Sequence, residues 1–527
     1  MKTMLNDMGF KRIINLYYLG QNIRRKCMNQ YDLDKQHKKG KLHAIERIHL
    51  IMDEGSFKET YIGPGPINAA GSAAYDGVIT GFGKIKRKKV FIYSQDFTVK
   101  GGTLGLNQGF KIARTIEDAI TNKCPIIGIS DSGGARIQDG IDAMAGYGEV
   151  FYYNTLASGY IPQIAIIAGP CAGGAVYSPA IMDFTFIVDH IGKMFLTGPK
   201  VIKQVTNVDV TVEELGGSTM HAQKSGVAQF RCESELECFN QVRDLITLIP
   251  SCYAKKRLEI MDFATLNIQD KDQTPLETIL PDQDNMVYSM RTLVKIIVDE
   301  NTYFGVLSEY AKNILTAFAK IGDITVGIVA NEPKYRAGVL DCDASDKAAR
   351  FIRFCDNFNI PIITFTDVPG FMPGIDEERK GIIRHGAKLL YAYSEATTIK
   401  INIIIRKAYG GSYVAMCSKH LRADRVYAWP SAKIAVMGAE AACEVVYAKI
   451  LDTFTDEVKK KAYFNEKVEE YRKTAMGIEL ANQRGYVDEI IDPVDTRNRL
   501  ITDLRELINK TRNRKMTINK KHGNIPL

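Results

Sequence analysis

Two glycine-rich segments could do chemistry through their backbone. The first, residues 169–175 (GPCAGGA), lies between an apolar run and a stretch that could begin a helix. Glycine lets backbone N–H groups approach a ligand closely. N–H groups at a helix start have no acceptor inside the helix, so several together favour a negative charge. We interpret the segment as an oxyanion hole, in which each donor contributes ~3 kcal/mol if the charge develops only in the transition state.

The second segment, residues 408–413 (AYGGSY), has the same place in a later part of the chain. Two holes of different lining would suit two enolate-like species. The alternative, in which the glycines only pack a strand against a helix or turn the chain, stays open at this point.

Side-chain catalysts do not form a recognised pattern. The eight histidines form no H-E-x-x-H, and the sequence has no G-x-S-x-G, Walker or strand-associated G-x-G-x-x-G motif. Ser132, in DSGG, resembles a hydrolase serine only superficially. We expect Asp131 and Asp367 to cap the turns that follow them. Arg136 and Lys200 are expected to be solvated, and Trp429 to lie in the core.

A repeat at long period organises the elements around these segments. Residues 84–85, 111–114 and 125–131 match residues 320–321, 347–350 and 361–367, all at one constant offset. The glycine pair 173–174 matches 410–411, and Gly198 matches Gly438, with only a small drift in that offset. Each copy alternates apolar strands with helical stretches, one of them from about Ala135. We predict a duplicated α/β fold with largely parallel, buried sheets.

The repeat divides the chain into four parts. They are a basic extension (1–34), an N-terminal domain (35–265), a C-terminal domain (275–510) and a basic tail (511–527), with further helices expected near 455–475 and 493–510. The extension has the look of a transit peptide, although a plain helical extension or a start at Met28 explains it as well. We expect a cytoplasmic protein, or a mitochondrial-matrix one if the extension is a transit peptide.

Composition excludes several classes of protein. The chain has 527 residues, 45% hydrophobic and 25% charged, which is ordinary for a folded protein. The net charge of +8 comes mainly from the two ends, so it gives no reason to expect nucleic-acid binding. The ten cysteines form no C-x-x-C pair and no metal-ligand cluster, which indicates a reducing compartment and no metal site. No apolar run reaches the ~18 residues of a membrane span.

Several longer motifs carry a family resemblance. The chain resembles the carboxyltransferase (beta) subunits of biotin-dependent acyl-CoA carboxylases, with the propionyl-CoA carboxylase beta and methylmalonyl-CoA decarboxylase alpha subunits nearest. The resemblance covers about residues 35–527. It rests on residues 94–98 (SQDFT), 131–138 (DSGGARIQ), 169–179 (GPCAGGAVYSP), 213–217 (EELGG), 367–373 (DVPGFMP), 383–390 (IRHGAKLL), 406–411 (RKAYGG) and 427–438 (YAWPSAKIAVMG).

The resemblance implies a fold and a set of site residues. The fold would be a duplicated crotonase-like (ClpP-like) one, in a hexamer with sites between the N domain of one subunit and the C domain of its partner. The Gly173 and Gly174 amides would hold the thioester oxyanion of acyl-CoA, and those of Gly411 and Ser412 the ureido oxygen of biotin. Further binding residues would be Gly133, Gly134, Ala135, Gly410, Tyr413 and Val414. Because the biotin anion would take the α proton, no side-chain base is required.

Departures from the family pattern limit the assignment. Ser412 stands where alanine is usual, which leaves the backbone donor intact. Val414 occupies a neighbourhood associated with acyl-length preference, so the acyl group stays open. With no Met-Lys-Met type sequence, biotin is expected on a carrier partner that also brings a biotin carboxylase. The alternatives are the reverse reaction in a sodium-pumping decarboxylase, a non-catalytic CoA-binding scaffold, and a biotin-independent hydratase.

Overall fold

The computed structural model describes residues 30–61, 76–253, 271–283, 286–508 and 525–526. The first half of the chain forms an eight-stranded sheet with the order β1-β2-β3-β4-β5-β6-β8, and β7 pairs with β5. Its strands are β1 (Lys58–Thr60), β2 (Val78–Ile85), β3 (Lys88–Gln95), β4 (Ile126–Ser132), β5 (Gln163–Ala172), β6 (Phe184–Val188), β7 (Lys193–Phe195) and β8 (Phe230–Cys232).

The second half forms a sheet of the same kind, with the order β9-β10-β11-β12-β13-β14-β16 and with β15 paired to β13. Its strands are β9 (Phe304–Val306), β10 (Ile314–Ile321), β11 (Ile324–Asn331), β12 (Ile362–Val368), β13 (Lys400–Tyr409), β14 (Arg425–Ala428), β15 (Lys433–Ala435) and β16 (Glu489–Ile490).

The two sheets confirm the predicted duplication. β10, β11 and β12 follow β2, β3 and β4 at the offset found in the sequence, and the ladders β4–β5 and β12–β13 shift register at matching points. In each sheet the first two pairings are antiparallel and the others parallel. The prediction of largely parallel sheets is therefore also confirmed.

Continuous apolar runs explain why the central strands lie where they do. All seven residues of β4 (IIGISDS) and of β12 (IITFTDV) are buried. A parallel strand covered on both faces needs such a run, whereas a half-exposed strand alternates apolar and polar residues. Pro125 and Pro361 immediately precede these two strands.

Helices connect and cover the strands. They are α1 (Gln30–Lys38), α2 (Ala44–Ile51), α3 (Leu106–Asn122), α4 (Ile141–Ala157), α5 (Tyr177–Ile181), α6 (Pro199–Thr206), α7 (Val212–Gly216), α8 (Ser218–Met220), α9 (Glu235–Leu248), α10 (Met290–Ile297), α11 (Cys342–Asn357), α12 (Ile375–Lys380), α13 (Ile382–Glu395), α14 (Gly410–Ala415), α15 (Ala439–Leu451), α16 (Glu457–Ala475), α17 (Ile478–Gln483) and α18 (Thr496–Ile508). The helices expected near 455–475 and 493–510 are present as α16 and α18.

One helix start differs from the prediction. The helix expected from about Ala135 is preceded by a 3-10 turn at Ile137–Asp139, and α4 begins only at Ile141. Gly140, with φ +56° and ψ −126°, lies outside the helical region and separates the two. This glycine conformation delays the helix by about six residues.

An aromatic cluster joins the two halves. The Phe184 ring of β6 lies 4.7 Å from the Phe354 ring of α11 and 5.9 Å from the Phe318 ring of β10, measured between centroids. These rings belong to one buried core that takes residues from both sheets. The two halves therefore pack on each other through buried aromatic surface.

Several predicted boundaries lie outside the described residues. These include most of the extension at 1–34, nearly all of the tail at 511–527 and most of the junction between the proposed domains. Among the helices that the structure describes, none is both long and apolar enough to cross a membrane.

Candidate active site

The first glycine loop begins where β5 ends. Ala172 is the last residue of β5, and a 3-10 turn at Gly173–Val176 leads directly into α5. Gly173 has φ +60°, a conformation that costs an L side chain ~1–2 kcal/mol. No side chain caps this turn, so it offers the Gly173 and Gly174 N–H groups no side-chain acceptor.

The loop of Gly133, Gly134 and Ala135 lies beside the first glycine loop. Gly134 has φ +107°, and a Cβ placed on it would come within 2.8 Å of the Ala172 carbonyl oxygen. Its own carbonyl accepts a hydrogen bond from the Leu104 N–H at 2.9 Å. The structure thus places Gly134 against the end of β5, from which the first glycine loop continues, while Gly133 lies against Thr103 and Ala135 bridges Leu104.

The second glycine loop repeats this construction at the end of β13. Gly410 follows Tyr409, has φ +58°, and begins the short helix α14 without a side-chain cap. The Ser412 hydroxyl donates to the Tyr409 carbonyl at 2.7 Å and is thereby turned back toward the chain. In this geometry Ser412 offers a ligand its backbone N–H rather than its hydroxyl.

Tyr413 is buried and Val414 half-buried. Tyr413 is only 6% exposed, and its buried hydroxyl has no hydrogen-bond partner among the described residues. Burial raises the pKa of this phenol to about 12. Val414 is half-buried and packs against the shared core. Tyr413 and Val414 follow Gly410 and Gly411 in the chain, and both side chains pack in or against the shared core.

Asp131 forms a buried charge cluster and does not cap a turn, so the first of the two capping predictions was wrong. It is 1% exposed, and its carboxylate accepts hydrogen bonds from Lys41 Nζ at 2.7 Å and from Arg47 Nη1 at 2.9 Å. Arg47 also donates to Glu235 Oε1 at 2.6 Å and to the Ala168 carbonyl at 2.8 Å. Asp131 is therefore the centre of a buried charge cluster that anchors α2 beneath β4 and β5.

Asp367, at the matching strand end, is also bound by neighbouring side chains and backbone and does not cap a turn, so the second capping prediction was wrong. Its carboxylate accepts hydrogen bonds from the Tyr288 hydroxyl at 2.9 Å, the Lys407 N–H at 3.0 Å and Arg406 Nε at 3.2 Å. Burial first, and the Asp367 charge second, raise the pKa of Tyr288. Both aspartates have buried cationic partners, so loss of either carboxylate would leave a buried positive charge without its partner.

The two isolated basic residues behave differently. Arg136 is 3% exposed and pairs with Asp76 at 2.6 Å, so the expectation that it is solvated was wrong. It also donates to the Thr103 carbonyl at 2.9 Å, which ties the 133–135 loop to its neighbour. Lys200, on α6, is exposed as expected. Trp429 is fully buried as predicted and donates to Thr496 Oγ1 at 3.0 Å.

Two aromatic residues beside the loops were missed by the sequence analysis. The ring of Tyr147, on α4, lies 3.6 Å from the position that a Cβ on Gly174 would take. The ring of Phe371 lies 4.0 Å from the corresponding position on Gly411. Phe371 could have been noticed, because the repeat offset makes it the counterpart of Ala135. Tyr147 has no such signal in the sequence.

The atoms nearest to each glycine loop belong to the same half of the chain as the loop. For the first loop these are Tyr147 and the Leu196 carbonyl, and for the second Phe371 and the Val436 carbonyl. A cavity of about 520 Å³ lies elsewhere, between the halves, with Phe184 and Arg350 among its lining residues and neither glycine loop.

Known proteins are similar to this chain in sequence and in fold. Residues 35–525 match the carboxyl transferase domain family. The propionyl-CoA carboxylase carboxyltransferase subunit of Haloferax mediterranei is 48% identical over 93% of this chain and 95% of its own. The methylmalonyl-CoA decarboxylase subunit alpha of Veillonella parvula is also 48% identical, over 94% and 95%. The transcarboxylase 12S hexamer assembly, with methylmalonyl-coenzyme A bound, is 44% identical over 95% of both chains with a TM-score of 0.89.

Proposed function

The chain belongs to the carboxyl transferase family, and from that premise we propose that it transfers a carboxyl group between a biotinylated carrier and a short-chain acyl-CoA. The observation that carries the proposal is the pair of uncapped glycine loops, Gly173–Gly174 and Gly410–Ser412, at matching strand ends. One chain thus has one backbone donor site for each of two ligands that develop negative charge on oxygen.

The first loop is proposed to serve the acyl-CoA. Its Gly173 and Gly174 N–H groups would donate to the thioester oxygen as the α carbon loses its proton. Such donors accelerate the reaction because they are already oriented when the charge appears. Of the neighbouring residues, Gly133 is exposed and Ala135 half-buried, so these two are the ones that could contact the body of the coenzyme, whereas Gly134 is buried against the Ala172 carbonyl.

The second loop fits the ureido oxygen of biotin. Gly411 and Ser412 present two successive backbone donors, and the Ser412 hydroxyl does not compete for the ligand because it donates to the Tyr409 carbonyl. Carboxybiotin, when bound, would supply both the carboxyl carbon and the base for the α proton. The chain's own task would then be to hold both reactants and exclude water, without a side-chain base.

The two loops are proposed to meet across a subunit interface. Exposed apolar side chains follow each loop along the chain: Val201 and Val205 on α6 after the first loop, and Val436, Val445 and Val446 after the second. A partner subunit that covered these side chains would bury them, and we propose that it brings its second loop to the first. The hexameric assembly of the similar transcarboxylase 12S supports this arrangement. The division into domains at 35–265 and 275–510 is part of the same proposal.

The acyl group is proposed to be propionyl, with methylmalonyl-CoA as the carboxylated form. Methylmalonyl-coenzyme A is bound in the similar transcarboxylase, and the similar decarboxylase of V. parvula is named for it. The test is to mix the purified chain with a carboxylated biotin carrier and a series of acyl-CoAs. We expect propionyl-CoA to be carboxylated fastest. Failure to carboxylate any of them would contradict the proposal.

The direction of transfer depends on the partner. The same half-reaction runs toward the acyl-CoA in a carboxylase and away from it in a decarboxylase, and similar proteins of both kinds are 48% identical to this chain. We propose the carboxylase direction. Purification of the chain with its natural partners should then recover a biotin carboxylase and its carrier, whereas recovery of a sodium-pumping membrane subunit would establish the decarboxylase direction.

A further inference from the structure

Each glycine loop has one aromatic ring against its second glycine. Tyr147 Cδ2 and Cε2 lie 3.6 Å from the position that a Cβ on Gly174 would take. Phe371 Cε2 lies 4.0 Å from that position on Gly411. Gly174 and Gly411 are matched by the repeat. The same contact has therefore been built in both copies.

The two rings come from different elements. Ala135 and Phe371 are equivalent, because each forms an isolated bridge, with Leu104 and with Leu340, and both residues of each bridge are related by the repeat offset. Where the first copy has the small Ala135, its ring comes from Tyr147 on α4. Where the second copy has Phe371, the ring comes from the loop after β12. Each copy thus has an aromatic ring against its second glycine, supplied by a helix in the first copy and by a loop in the second.

The helices α4 and α13 differ at the position that faces the Phe371 ring. They end on equivalent caps, Ser158 and Ala396, whose φ/ψ angles are −59°/126° and −56°/127°. Alignment of the two helices on these caps places Gly148 opposite Gly386. A Cβ on Gly386 would lie 3.0 Å from the Phe371 ring, whereas a Cβ on Gly148 would meet nothing within 4 Å. Gly386 therefore leaves the space in which Phe371 sits.

Both rings are held in place by further packing. Tyr147 is 5% exposed and stacks on Phe151 with centroids 5.6 Å apart. Phe371 is half-buried and packs against the shared core. A glycine peptide has no side chain to fix its orientation, so a rigid ring against it restricts how far its N–H can turn.

We propose that Tyr147 and Phe371 are the positioning residues of the two holes, and that each ring serves one ligand only. The inference rests on the proposed function, in which the first loop binds acyl-CoA and the second binds biotin. Tyr147 would keep the Gly174 N–H aimed at the thioester, and Phe371 would keep the Gly411 N–H aimed at the ureido oxygen. Displacement of a positioned group by about 1 Å costs roughly a hundredfold in rate.

The test separates the two ligands. The variants are Tyr147→Leu and Phe371→Leu, and the measurements are the Kd of propionyl-CoA by calorimetry and the KM of free biotin as acceptor of the carboxyl group of methylmalonyl-CoA. Tyr147→Leu should raise the Kd about two- to tenfold, because the thioester oxygen already accepts the Gly174 N–H hydrogen bond in the ground state and this bond is weakened, and it should leave the KM of biotin unchanged. Phe371→Leu should raise the KM of biotin by the same factor for the same reason and leave the Kd unchanged. Tyr147→Phe keeps the ring and should behave as the wild type.

A glycine pair provides a matched second test that removes neither ring. Gly386→Ala pushes directly on Phe371 and should raise the KM of biotin, as Phe371→Leu does. Gly148→Ala, at the equivalent helix position in open space, should change neither constant. This pair of variants tests the role of Phe371 even if Phe371→Leu fails to fold.

The outcomes distinguish this inference from the proposed function. A wild-type chain that transfers no carboxyl group refutes both. An active wild type whose variants change both constants equally, or change neither, refutes the positioning roles and leaves the function standing.

Discussion

The conformations of Gly173 and Gly410 allow a direct test of whether the backbone, rather than packing alone, requires glycine in the loops. Both residues have nearly the same left-handed φ, +60° and +58°. Their surroundings differ: a Cβ on Gly173 would lie 4.0 Å from the Leu196 carbonyl oxygen, and one on Gly410 only 2.8 Å from the Val436 carbonyl oxygen.

The two alanine variants should therefore differ in stability. Gly173→Ala is destabilised by the left-handed conformation alone, which costs ~1–2 kcal/mol. Gly410→Ala is destabilised in the same way and must also displace the backbone at Val436, which adds about 1–3 kcal/mol. Gly485→Ala is the control, because Gly485 has φ +73° with nothing within 4 Å and lies outside both loops.

Urea unfolding followed by circular dichroism measures these differences. We expect Gly173→Ala and Gly485→Ala to lose similar free energies of unfolding, and Gly410→Ala to lose clearly more. The reasoning is refuted if Gly410→Ala is as stable as Gly173→Ala, or if neither variant is destabilised.

Three further predictions concern single side chains. Burial raises the pKa of Asp183 to about 7, so the stability gained from its protonated form is full below about pH 4 and is lost as the pH rises through 7. Asp183→Asn should therefore melt above the wild type at pH 8 and keep only about a third of that advantage at pH 5. Equal gains at both pH values would contradict this. Asp131→Asn leaves Lys41 and Arg47 facing a single buried carboxylate, that of Glu235. The variant should therefore lower the free energy of unfolding by ~3–5 kcal/mol, measured by denaturant titration. A loss under about 1 kcal/mol would contradict this. Ser412→Ala removes only the hydrogen bond to the Tyr409 carbonyl, so it should cost about 0.5–1.5 kcal/mol of stability and leave the rate of carboxyl transfer within about twofold, whereas a large loss of rate would mean that the hydroxyl takes part.

The sequence predicted most of the fold because the fold repeats. β4 and β12 are readable as continuous apolar runs, and a second copy at a constant offset makes each assignment more secure. The glycine loops were found in the same way. A local pattern that recurs at a fixed offset points to a shared tertiary structure.

Contacts between distant residues could not be predicted in this way. Asp131 is buried because Lys41 and Arg47 reach it from a segment about ninety residues earlier, and a cap was the reasonable local expectation. Arg136 is buried for a similar reason, its pairing with Asp76. Tyr147 reaches Gly174 only through the packing of α4 against β5, which no spacing in the sequence encodes.

Carboxyl transfer through two backbone holes, one for each ligand, can be tested in a single experiment. The most direct measurement follows label from carboxyl-labelled methylmalonyl-CoA to free biotin with the purified wild type, Gly174→Val and Gly411→Val. We expect transfer by the wild type and a rate at least about a hundredfold lower in each folded variant, because each valine interferes with a different hole. Transfer at the wild-type rate in either variant would contradict it.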